Sequence, residues 1–306
     1  MVSAVFHSPS EVDDALPATS PSPAQTAPAP PLKAAPVPAT AAPKPSVDWL
    51  GWALRTLSPL AGIALLIGIW ALLTQNSSTF PTPLATWQAA VVLFADPFYS
   101  NGPNDQGIGW NILFSLERVA VGFGLAAVVG IPLGFLIGRS QIASSMLNPI
   151  ISLLRPVSPL AWLPIGLLVF KSADPAAIWT IFICSIWPMI INTAVGVQRV
   201  PQDYMNVARV LNLSEWKIFT KILFPAVLPY LLTGVRLAVG TAWLVIVAAE
   251  MLTGGVGIGF WVWDEWNNLN VASIIIAIGV IGVVGLLLEF ALIRLASLFT
   301  YEEVKA

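Results

Sequence analysis

The chain has 306 residues, of which 57% are hydrophobic and 10% charged, and its formal net charge is −2. Soluble domains carry about a quarter charged residues, so this composition, with a mean hydropathy of +0.80, belongs to a membrane protein and gives no footprint for nucleic acid. Cys184 is the single cysteine and His7 the single histidine, which excludes an internal disulfide and any histidine triad, metal cage or proton relay in the membrane body.

Residues 1–47 are rich in Pro, Ala, Ser and Thr and have too little apolar mass to fold, so a disordered or polyproline-like tail is expected. The tail is no signal peptide, because no basic start precedes an apolar core. The first span is expected over 57–73, entered from Arg55. Residues 76–110 contain no Lys or Arg; within them 83–94 is amphipathic and suits the interface plane, with Trp87 as anchor, and 94–107 is a turn-rich loop. The second span is expected over 111–138, where Gly130, Gly134 and Gly138 stand one turn apart and admit another helix closely.

Residues 140–149 read as a short polar loop and 150–170 as a third span broken by Pro156, Pro159 and Pro164. Carbonyls freed by such breaks survive at membrane depth only inside protein or against a wet cavity; a simple kink is the alternative. A turn at 171–174 leads to the fourth span, 176–197. The fifth is expected over 223–250 and the sixth over 274–298. Residues 253–270 between them read as a loop whose Trp261, Trp263 and Trp266 suit an interfacial belt. Continuous apolar runs exclude a β-barrel. The expected fold class is all-α: a polytopic membrane domain of about six transmembrane helices over 48–300, with a short tail at 301–306.

Basic residues orient the spans. With the N-terminus in the cytoplasm, that side holds Lys33, Lys44, Arg55, Arg139, Arg199, Arg209, Lys217, Lys221 and Lys305, and the outside holds only Lys171. Both termini and the 201–221 stretch are thus expected on the cytoplasmic face of an inner (plasma) membrane. No G-x-x-x-x-G-K-[ST] loop occurs, so ATP-driven work needs a nucleotide site on another chain.

The 201–221 stretch is polar yet lies between apolar runs. Val207, Val210, Leu211, Leu213, Ile218 and Leu223 recur at helical spacing, which predicts helix–turn–helix, with Asn212 at a left-handed turn and Ser214 capping the second helix. Such a pair is a solvated linker or a docking site.

Residues 206–225, NVARVLNLSEWKIFTKILFP, resemble the coupling loop of type I ABC importer permeases. That family's pattern is Glu-Ala-Ala, three residues, Gly, nine residues, Ile, one residue, Leu-Pro. Ala208, Ile222 and Pro225 fall in register, while Asn206 stands for Glu, Val207 for Ala, Asn212 for Gly and Phe224 for Leu. The stretches 154–170, 191–201 and 228–252 resemble the branch serving nitrate, bicarbonate and organic sulfonates.

The resemblance implies a type I ABC importer permease fold and a subunit that moves a small inorganic anion, most closely nitrate or nitrite, inward by alternating access. Bicarbonate and alkanesulfonates are the alternatives within the family; an ion-gradient-driven secondary transporter and a structural scaffold are the alternatives outside it. The implied partners are a second permease copy, two cytoplasmic ATPase chains that carry ATP and Mg, an extracytoplasmic substrate-binding protein and membrane lipid. The chain itself is then no enzyme and holds no cofactor or metal. Asn206, Ala208, Arg209, Leu211, Asn212, Leu213, Glu215 and Lys217 are the expected ATPase-coupling residues. Ala208, Leu211 and Leu213 would be the inserted anchors, and Arg209, Glu215 and Lys217 the rim.

Charges within spans are costly and face protein or water. Arg118, Arg236 and Glu250 are the candidate pathway residues. For Arg236 and Glu250 a structural ion pair is the competing reading, and for Arg118, beside Glu117, it is snorkelling. Arg155 and Arg294 are read near cytoplasmic ends, where long side chains reach the headgroups.

Overall fold

The computed structural model describes residues 49–77 and 79–297, so the expected tails at 1–47 and 301–306 lie outside the described residues. The chain divides between Arg55 and Thr56, and the account that follows concerns the second unit. The helices are α1 (Trp49–Thr74), which belongs to this unit from Thr56 on, α2 (Pro83–Leu93), α3 (Ile108–Arg139), α4 (Gln141–Leu154), α5 (Pro159–Phe170), α6 (Ala173–Gln198), α7 (Gln202–Val210), α8 (Glu215–Ile218), α9 (Phe224–Thr253), α10 (Ile258–Asn267) and α11 (Val271–Ser297). The described residues contain no strand beyond an isolated bridge between Ser100 and Gln106.

Five of these helices are long and apolar enough to cross a membrane, and α4 with α5, bent by 99°, makes a sixth span if the pair is counted as one. The bend is sharper than the kink the sequence allows. Ser158, before Pro159, is driven to extended backbone with ψ 137°, and the helix cannot continue through it. The expected loop at 140–149 is instead the start of α4: the Ser140 hydroxyl accepts a hydrogen bond from the Ala143 N–H at 3.2 Å and caps a helix there. The expected loop at 253–270 likewise contains α10. Trp261 on it is buried, whereas Trp263 and Trp266 are exposed.

The core forms where α3, α6 and α9 pack together, with α5 and α10 against them. The α3–α6 seam depends on small residues. A Cβ on Gly134 would sit 2.5 Å from the Thr193 side chain, and one on Gly138 would sit 2.5 Å from Val197. The seam extends beyond the expected three glycines through Ala126 to Gly122, each one turn further along α3. By contrast, α1 exposes most of its apolar side chains from Leu57 on, and α11 exposes a stripe of Ile278, Val283, Leu286, Leu287, Phe290, Ile293 and Leu295, as lipid-facing or partner-facing helices do.

The polar stretch folds as the hairpin α7–α8. Asn212 takes φ 53° at the turn, and the Leu213 N–H closes it on the Ala208 carbonyl at 3.0 Å. Ser214 occupies the N-cap of α8, yet its side chain makes no capping bond. The second helix does not stop before the fifth span. It continues through a five-residue π turn, Phe219–Leu223, directly into α9. Pro225 lacks an N–H, so Lys221 loses its α-helical acceptor role, and the Phe224 N–H reaches back to Phe219 instead.

Candidate functional site

Two constellations stand at opposite ends of the bundle. At one end the hairpin rests on its own chain. Ile218 and Leu223 are buried, Leu223 in a cluster with Val197 and Val227. Phe219 meets Phe135 of α3 edge-on at 5.1 Å between ring centroids, and Arg139, the last residue of α3, pairs with Glu215.

The hairpin's outer surface is apolar at its centre. Val210 is 85% exposed, and Tyr204, Val207, Leu211 and Trp216 are exposed beside it. Of the expected coupling residues, Asn206, Arg209, Leu211, Asn212, Glu215 and Lys217 are exposed and Leu213 is half-buried. Asn206 and Arg209 bond to each other at 3.2 Å. Ala208 is 0% exposed, so its methyl group faces this chain. Its carbonyl accepts the Leu213 N–H that closes the turn. Val210 and Trp216, outside the expected set, present the larger apolar area. Their signal was in the sequence, as large apolar residues within a polar stretch.

At the other end Arg118 and Glu250 meet. Arg118 Nη1 donates to Glu250 Oε1 at 2.7 Å and to the Val256 carbonyl at 2.7 Å, while Nη2 stands 2.7 Å from Asp174. Glu250 is 1% exposed and also accepts from the Ser115 hydroxyl at 2.8 Å and the Gly259 N–H at 3.0 Å. Ser115 accepts from the Ile258 N–H at 2.9 Å, and the Asn111 side-chain oxygen accepts from the Gly257 N–H at 2.8 Å. Three of the N–H groups that begin α10, those of Gly257, Ile258 and Gly259, are thus taken by side chains of α3 and α9. A Cβ at Gly259 would lie 2.1 Å from the Val247 carbonyl oxygen, so only glycine lets α10 approach this closely.

The arrangement is a clamp that fixes α3, α6, α9 and α10 to one another. Asn111, Ser115 and Gly259 were not singled out from the sequence, although Asn111, Ser115 and Arg118 fall on one helical face. Arg236 also has a partner. Its Nε donates to Glu289 Oε1 at 3.0 Å, tying α9 to α11 along a groove of about 480 Å³ that includes Thr233, Leu237 and Gly285.

Charge is divided between the two ends. The hairpin end carries Arg139, Arg199, Arg209, Lys217 and Lys221 against Asp203 and Glu215. The other end carries Asp96, Asp105, Asp174, Asp264 and Glu265, and among the described residues there Lys171 is a lone lysine. Burial pushes the Glu265 carboxyl up, against hydrogen bonds from Ser273 and Asn270 that lower it. Among the described residues no group of His, Cys, Asp or Glu could hold a metal ion.

These features define a multi-pass helical membrane protein with a hairpin at one end that exposes large apolar side chains. The profile of the family described as "binding-protein-dependent transport system inner membrane component" matches residues 130–299. The nitrate import permease protein NrtB of Synechocystis is 50% identical over 252 residues, covering 82% of this chain and 92% of that one. The NrtB of Leptolyngbya laminosa is 50% identical over 251 residues, covering 82% and 90%. The bicarbonate transport system permease protein CmpB of Synechococcus elongatus is 46% identical over 237 residues, covering 76% and 85%. Among solved structures, the inward-facing MetNI methionine ABC transporter shares the fold with a TM-score of 0.57 at 16% identity, covering 62% of this chain and 95% of that one.

The chain belongs to the family of binding-protein-dependent transport system inner membrane components. It is a permease subunit of an ABC transporter, with the type I importer fold expected from its coupling loop, and it is not an enzyme.

Proposed function

We propose that this subunit carries nitrate, with nitrite as the close analogue, into the cytoplasm through an ATP-driven importer. The carrying observation is the 50% identity to a nitrate import permease over 92% of that protein's length. In this reading two copies pair in the membrane and the α7–α8 hairpins seat on two cytoplasmic ATPase chains that bind ATP and Mg. An extracytoplasmic binding protein delivers the anion to the acidic end. The exposed apolar centre of the hairpin supports its docking role, because such a surface on a polar loop needs a partner. The basic hairpin end supports a cytoplasmic hairpin and cytoplasmic termini.

ATP closes the nucleotide-binding chains, the hairpins move with them, and the unbroken α8–π–α9 helix carries the movement into the membrane. Bicarbonate is the second reading, favoured by the 46% identity to CmpB. The deciding experiment expresses the subunit with its ATPase and binding-protein chains in a host stripped of both uptake systems. Nitrate accumulation that stops when the ATPase is inactivated is the expected result. Bicarbonate accumulation without nitrate would overturn it.

A further inference from the structure

The elbow between α4 and α5 carries a cation that the ion pairs leave over. Arg155 ends α4 immediately before Pro156. Among the described residues its guanidinium makes no ion pair and no side-chain hydrogen bond, whereas Arg118, Arg139 and Arg236 each hold a carboxylate. The sequence reading put Arg155 near a cytoplasmic end. In the structure α4 begins at Gln141, so 14 helical residues, about 21 Å at 1.5 Å each, separate Arg155 from the start of the helix.

Arg155 lines a cavity of about 300 Å³ together with Cys184, Trp187 and Asn192 of α6 and Leu237 and Thr241 of α9. These residues lie around the middle of two helices that run from Ala173 to Gln198 and from Phe224 to Thr253. The cavity therefore sits close to halfway across a hydrocarbon core of about 30 Å. No carboxylate lines it. An unpaired arginine at that depth is expensive and marks a path for charge.

The donors suit one chemistry. The guanidinium presents its N–H groups in a planar fork that matches two oxygens of one anion. Asn192 donates one amide hydrogen to the Pro188 carbonyl at 2.8 Å, leaving its second hydrogen free. The Trp187 indole N–H makes no hydrogen bond among the described residues.

We infer that Arg155, with Asn192 beside it, forms an intramembrane binding site for a small, singly charged trigonal oxyanion. The site rests on the proposed import of such an anion and names the residues that would hold it in transit. Nitrate and bicarbonate share this chemistry, and separate uptake assays distinguish them.

The test uses the assembled transporter in proteoliposomes, with uptake rate followed against nitrate and, separately, bicarbonate concentration. Arg155→Leu and Asn192→Asp should each lower uptake tenfold or more below saturation, with the ATPase chains still bound. Arg155→Lys, which keeps the charge and loses the fork, should raise KM more than it lowers the maximal rate. Wild-type concentration dependence in Arg155→Leu overturns the inference. Should Arg155→Leu fail to assemble, Asn192→Asp decides, since it is isosteric and leaves the elbow intact. An unaltered transporter that moves neither anion overturns the import reading and this site with it. One that moves an anion as well as its variants do overturns the site alone.

Discussion

Glu250 gathers hydrogen bonds from α3 and α10 on a carboxylate almost without access to water. A buried ion pair adds little over an apolar pair, but removing one member strands the other at a cost of about 3–5 kcal/mol. Glu250→Ala should therefore lower the unfolding midpoint of the purified protein steeply. Arg118→Leu combined with Glu250→Leu should recover at least half of that loss. Thermal unfolding in detergent checks both, and an unchanged midpoint in Glu250→Ala would show that the clamp bears no structural weight. Arg118 is a poor candidate for snorkelling, because its reach is spent on Glu250, Asp174 and Val256.

The hairpin separates two effects that its sequence pattern merges. We expect Val210→Asp to leave the fold intact and to release the ATPase chains, because this side chain stands free on the docking face. Ala208→Glu should release them too, by another route. It forces a charge into a site without access to water, at a cost of a few kcal/mol, and should open the turn. Limited proteolysis distinguishes the two: Ala208→Glu should be cut between 205 and 220 and Val210→Asp should not. Retention of the ATPase by both variants would remove the hairpin from the coupling role.

The long spans and the hairpin were legible because apolar runs and a 3.6-residue period are local signals. The α4–α5 elbow and α10 were not. Prolines and mixed polarity look alike in a loop and in a short packed helix, and only tertiary partners such as Glu250 decide between them. Likewise Arg118 and Glu250 were each read as costly charges, but nothing in one sequence joins two residues 132 positions apart.

For the whole molecule the sidedness prediction is direct. A reporter placed at Asn104 should register outside, and one joined after Tyr301 should register in the cytoplasm, following the division of charge between the two ends. A cytoplasmic signal at Asn104 would invert the transporter. The lipid-facing and partner-facing surfaces are set by the same packing. α3 and α6 share a seam that glycine closes, while α1 and α11 keep apolar side chains outward, free for lipid or for a second copy.

The clamp has a consequence in time. A ribosome adds roughly 5–20 residues per second. Arg118 is thus made some 7–26 s before Glu250, 132 residues later, at that rate. Asp174, only 56 residues on, arrives roughly 3–11 s after it. On this timing we expect the exposed aspartate to neutralise the arginine while Glu250 is still unmade. Asp174→Asn should accordingly lower the yield of newly inserted protein several-fold, read by pulse labelling, while shifting the unfolding midpoint of the finished molecule far less than Glu250→Ala. Equal damage to both readouts would leave Asp174 as one more strut of the mature clamp.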